Sequence, residues 1–188
     1  MNIFVLSNNP VIAAQDQCDK HVVKMIVESA QMLSTAHRML DGQVSRQPSK
    51  SGKTMIKYYD HPTLDSTLYK AVHHHHPCTV WTTESICNYI WHYKHFIALC
   101  DEYMYRYGKR HLTDTLLRSI LMTPPVRIPH VERTPFKLAM GSNPECMLDC
   151  PVESYRAFYQ TKQDRFSMTW TSRSVPSWFE VKNERASA

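Results

Sequence analysis

The chain has 188 residues and a formal net charge of +5, as expected of one globular domain over residues 1–188 whose core hides roughly 70% of the unfolded surface. Its four glycines exclude collagen-like repeats and disfavour glycine-rich phosphate loops, and no apolar run nears the roughly 20 residues that cross a bilayer. MNIFVLSNN lacks the basic start and apolar stretch of a signal peptide, so a reducing cytoplasm with free cysteine thiols is expected, and the basic balance fits a polyanionic partner.

Residues 1–15 read as an N-terminal arm, with MNIFVLS as a strand or buried segment and Asn9-Pro10 opening a helical region. From Asp19 to Leu40, Val22, Ile26, Ala30 and Leu33 recur at helical spacing. The opposite stripe is Lys20, His21, Lys24, Glu28, Gln31, Thr35 and Arg38. Residues 41–57 are expected to be a mobile basic loop. Its SGKT lacks the glycine of a phosphate loop, because Gln47 stands there. A short helix is expected around Leu64 to Val72, and a long one from Thr79 to Tyr107 with Gly108 as its stop. The long helix places Ile86, Ile90, Tyr93, Ile97, Cys100, Met104 and Tyr107 on one face. Thr113 to Met122 is another short helix. Residues 123–151 should wrap the surface, and Asp149-Cys150-Pro151 should cap a last helix. Residues 170–188 form an aromatic and basic tail. The fold class expected is mostly α, a compact helical bundle with an arm and proline-rich surface loops.

The histidines and cysteines show no two matched pairs at structural-zinc spacing. Cys87 and Cys100 read as core thiols. The run His73 to His76 is open to three readings: a solvated helix end, a phosphate patch or a metal site. On the first long helix, His21, Lys24, Glu28 and Gln31 share one face. One carboxylate among cations reads either as a surface ion-pair stripe or as a general acid/base in a phosphate-binding groove.

Three motifs in order carry a family resemblance. The first is Cys18-Asp19-Lys20-His21 with Glu28 seven residues on and Ala30-Gln31 after it. The second is His61-Pro62-Thr63-Leu64, then His76-Pro77 and the run Glu102 to Gly108. The third is Pro176-Ser177-Trp178-Phe179. Together they cover about half the chain and resemble the phage-type pyrimidine-dimer DNA glycosylase/AP lyase family. Val27 and Gln31 stand where that family commonly carries basic side chains, and residues 123–148 match none of its motifs.

The resemblance implies a repair-type enzyme on duplex DNA, with no membrane, obligate protein partner, metal or organic cofactor. It implies attack on sugar C1′ by an N-terminal α-amine, here that of Met1 because Asn2 disfavours methionine removal. Glu28 would transfer protons and His21 would assist. DNA contacts are expected from Lys20, Lys24, Gln31, Arg38, Lys57, His73, His76, Arg106, Arg173 and Trp178. Three alternatives stand beside it: a binding module with altered catalysis, an enzyme acting on another nucleotide, and a metal-dependent nuclease.

Overall fold

The computed structural model describes residues 1–182 and is mainly helical. Among the described residues, the elements are α1 (Pro10–Gln15), α2 (Asp19–Asp41), β1 (Gln43–Pro48), β2 (Met55–Asp60), α3 (Pro77–Glu84), α4 (Ile86–Tyr107), α5 (Leu112–Leu121) and α6 (Pro151–Gln160). None of these helices is long and apolar enough to cross a membrane. The long helix α2 packs on α3, α4 and α5, while α1 lies on α4. The expected stripe of α2, from Val22 to Leu33, is fully buried.

Local chemistry sets the helix ends. The Asn9 side chain accepts the Val11 N–H, and Pro10 fills the first position of α1, where a missing donor costs nothing. Asp19 begins α2, where negative charge suits the helix dipole, and its N–H donates to the Thr169 carbonyl at 2.8 Å. Gly108 closes α4 with φ 65°, the left-handed stop that favours glycine. Pro151 opens α6. Residues 123–150 hold only a 3₁₀ turn at Pro144–Cys146, but Ile128, Phe136 and Met140 pin them to the core.

Four expectations are corrected. Residues 41–57 are not a mobile loop: most of them form an antiparallel hairpin in which Gln43 faces Asp60 and Pro48 faces Met55. Gly42 joins α2 to this hairpin, and a Cβ there would sit 2.3 Å from the Arg38 carbonyl oxygen. Residues 64–72 are turns rather than a helix. Their carbonyls are drawn to a buried cation, since the Arg38 guanidinium binds the carbonyls of Tyr59, Asp65, Leu68 and Tyr69 and the Asp65 carboxylate. The helix expected from Thr79 to Tyr107 is two helices. Ser85 is extended between them, donates its hydroxyl to the Val131 carbonyl and caps the Cys87 N–H. Last, the buried side of α4 overlaps the expected one only in part: Tyr93 and Cys100 are buried as expected. Ile90, Met104 and Cys87 are exposed, whereas Tyr89, His92, Phe96 and Leu99 are buried. The bundle expectation therefore holds only as mainly helical, with a hairpin and long irregular segments added.

Candidate active site

Residues 2–6 are buried and irregular. Phe4 has φ 54°, a left-handed conformation that costs a non-glycine residue about 1–3 kcal/mol. The kink seats the Phe4 ring on His21, with centroids 4.7 Å apart, and against the edge of Tyr159 at 5.1 Å. Asn2 holds the other side of the kink. Its Nδ2 donates to the Ala139 carbonyl at 3.1 Å, and its Oδ1 accepts the Phe4 N–H at 2.9 Å. The Asn2 main-chain N–H donates to Glu28 Oε2 at 3.0 Å. The Met1 amine then lies 3.7 Å from the same oxygen, and Lys24 Nζ lies 3.1 Å from Glu28 Oε1.

A cavity of about 490 Å³ opens over this group. Met1, Lys20, His21, Lys24 and Glu28 line one side; Phe158, Lys162, Arg165 and Phe166, from α6 and the segment after it, line another. Five cationic groups thus face one carboxylate, Glu28. An amine beside a carboxylate supplies a nucleophile and a proton carrier, and the surrounding cations suit a phosphate-bearing substrate.

Two histidines serve this site as neutral groups. Tyr159 Oη accepts the Cys18 N–H at 2.9 Å and lies 2.7 Å from His21 Nδ1. The phenol oxygen has two lone pairs and one proton, so it can serve the imidazole as donor or acceptor. Burial first, then Lys24 and Lys162, push His21 down to about 4. His21 is thus a neutral imidazole at neutral pH rather than a cationic acid. His76 is half-buried and caps α3 by accepting the Cys78 N–H at Nδ1. Burial, the Met1 amine and His73 lower its titration, while Glu28 and the Met1 carbonyl oppose them. It is the residue of the four-histidine run that feels the Met1 amine and Glu28, although it does not line the cavity.

The other expected DNA contacts scatter. Arg38 is 1% exposed and spent on loop carbonyls, so its assignment to a DNA surface is corrected. The same holds for Arg106, which is buried against Glu102, Asp19 and the Gln15 carbonyl. Arg173 grips Glu102 with two hydrogen bonds of 2.9 Å. The Trp178 indole donates to Asp16 at 2.8 Å, and Arg156 covers its ring. Gln31 is half-buried and does not line the cavity. Lys57 is on the hairpin and His73 is exposed. The tail beyond residue 182 lies outside the described residues. Asn2, Lys162 and Arg165 were missed as site residues. The only sequence signal was a polar Asn inside MNIFVL, and nothing local links residues 162 and 165 to Glu28.

One group of candidate metal ligands occurs among the described residues: His37, Asp41 and His61 bring ligand atoms within 4.8 Å of one another. Their protons argue against coordination. His61 Nδ1 accepts the Thr63 and Leu64 N–H groups, which puts the ring proton on Nε2. A ligating histidine normally does the reverse, donating from its far nitrogen. Both Asp41 oxygens are also taken, by the Val126 and Arg127 N–H groups. No family model, curated protein or solved structure matches this chain.

Proposed function

We propose that the protein is a DNA glycosylase/AP lyase acting on a damaged or modified base in duplex DNA. The observation that carries this reading is the Met1 amine 3.7 Å from Glu28, inside a cavity whose other charged side chains are all cations. The motifs around His21, Glu28 and Pro176-Ser177-Trp178 support it by resemblance. Lys20, Lys24 and Arg165 would hold the phosphates flanking an extruded nucleotide, whose unstacking costs a few kcal/mol. Glu28 takes a proton from the Met1 ammonium. The freed amine attacks C1′ and the base leaves with its bonding electrons. The sugar ring then opens to a protonated imine: the proton that the nitrogen sheds goes to the departing base, and Glu28 returns its proton to O4′. Glu28 carboxylate next removes a C2′ proton, and the 3′ phosphate departs by β-elimination. Asn2 fixes the amine, and His21 lines the site as a neutral imidazole.

The test is borohydride trapping on duplexes carrying an abasic site or a UV dimer. A covalent adduct with the protein, and strand cleavage lost in Glu28→Gln, are expected. Trapping with the abasic duplex alone would keep the lyase chemistry and move the base specificity. Val27 and Gln31, which stand where the resembled family carries basic side chains, favour a second reading: a DNA-binding module without turnover. Salt-dependent DNA binding with no adduct on either duplex would establish that reading instead.

A further inference from the structure

Lys162 is one of four amines that line this cavity, and its surroundings differ from those of the other lysines there. It sits in a 3₁₀ turn (Thr161–Asp164) just after α6 and is 9% exposed. Its Nζ lies 3.4 Å from the centroid of the Phe158 ring. Among the described residues, no ion pair or hydrogen bond engages that Nζ. Lys24, by contrast, is tied to Glu28, and Lys20 is exposed. A lysine this buried without a carboxylate is held only by its aromatic neighbour, which compensates poorly for lost hydration. Burial first, then the Arg165 cation, push its titration below the ordinary lysine range; Cys146 opposes them, and Lys24 adds a lesser push downward. A desolvated lysine among other cations is the environment that activates amines toward carbonyl carbons.

We propose that Lys162 is a catalytic, imine-forming amine for an aldehyde-bearing sugar bound in this cavity. The inference rests on the reading of the cavity as an abasic-sugar site. It does not depend on the α-amine of Met1. The open-chain sugar presents an aldehyde at C1′. The lone pair of Nζ forms the C–N bond, and the carbonyl oxygen takes up protons and leaves as water. The product is a protonated imine, with no change in oxidation state. Glu28 stands across the cavity to carry the proton. Exchange of the imine between Lys162 and the Met1 amine conserves one water-free C=N bond throughout.

Two measurements on the full chain separate this proposal from the reading beneath it. The first treats the protein with pyridoxal 5′-phosphate at pH 7, reduces with borohydride and maps the modified lysines by mass spectrometry. Lys162 is expected to be labelled at least ten-fold faster than Lys20 or Lys24. The second maps the borohydride adduct formed with an abasic duplex. Part of it is expected on the Lys162 peptide, that part is lost in Lys162→Arg, and the Met1 adduct persists. The arginine keeps the charge and the contact with Phe158, and an unchanged Tm confirms folding. Labelling of Lys162 without a DNA adduct would uphold the reactive amine and overturn the abasic-DNA reading. Adducts on Met1 alone, with Lys162 no more reactive than Lys20, would overturn the inference and leave the reading standing. An unreactive Lys162 and no DNA adduct would overturn both.

Discussion

Glu28 is held from three directions: by the Asn2 N–H, the Met1 amine and Lys24. Replacing it with Gln keeps an oxygen for the Asn2 N–H but removes the charge and the proton carrier. Strand cleavage at an abasic site is therefore expected to fall about 10²–10⁴-fold, with Tm moving by only a few degrees. Cleavage within two-fold of wild type would remove Glu28 from the chemistry. Asn2→Ala tests the positioning of the amine. It strands the Ala139 carbonyl, which costs about 1–3 kcal/mol, and frees Phe4 to leave its strained conformation. The expected readout is a lower trapping rate at saturating DNA with little change in affinity. At this scale the sequence was informative where residues lie on one helix: the spacing of His21, Lys24 and Glu28 alone placed all three on one face. It was silent on Lys162 and Arg165, which reach the cavity only through the packing of α6. It misled on Arg38 and Arg106, because a basic residue on a polar stripe looks the same whether solvated or buried against carbonyls.

The hairpin of β1 and β2 is the element that residue composition described least well. Lys, Ser and Gly between residues 49 and 54 read as a loop, and they do form its tip, but pairing between Gln43–Pro48 and Met55–Asp60 needs a partner strand that no local pattern announces. Its register sets Arg46 directly opposite Lys57, both exposed. Like charges facing across a ladder destabilise it, and no carboxylate pairs with either among the described residues. Lys57 lies over the Tyr59 ring at 4.7 Å. An anion between the strands would relieve the repulsion, and a two-stranded ribbon fits the major groove of DNA. The double variant Arg46→Gln, Lys57→Gln is expected to raise hairpin stability slightly. It should also weaken duplex binding and lower the slope of log affinity against log salt by about 1–2. An unchanged slope would place the DNA elsewhere. The break at Ser85 was equally hidden, since it is explained by the distant Val131 and Pro129 carbonyls, which accept the Ser85 hydroxyl and the Ile86 N–H.

Across the whole molecule, the unusual cost is buried polarity. In the folded chain His21 and His37 titrate near 4 and His95 near 3, each driven down mainly by burial from an ordinary 6.5. As pH falls below about 6.5 the unfolded chain takes up these protons first, so stability is full above that range and is lost toward pH 4. The urea midpoint is expected to drop steeply between pH 6.5 and 4.5. A flat profile would show that these rings are solvated. The Arg106, Glu102 and Asp19 network is the second such store, and Arg106→Met is expected to cost about 1–3 kcal/mol, because Glu102 keeps Arg173 and Asp19 keeps the Thr169 and Thr171 hydroxyls. This polarity also explains why the buried face of α4 was misread: His92, His95, Glu102 and Arg106 lie on it and interrupt any apolar pattern. The arm has one more consequence, for the order in which the protein is made. Asn2 bonds to Ala139, the Leu6 carbonyl accepts from Arg156 at 2.9 Å, and Phe4 packs on Phe158 and Tyr159. The arm thus finds its partners only when residues 139–159 have followed it from the ribosome, roughly 10–30 s later at ordinary synthesis rates. For that interval Ile3, Phe4, Val5 and Leu6 form an uncovered apolar stretch, the kind of nascent segment that chaperones bind.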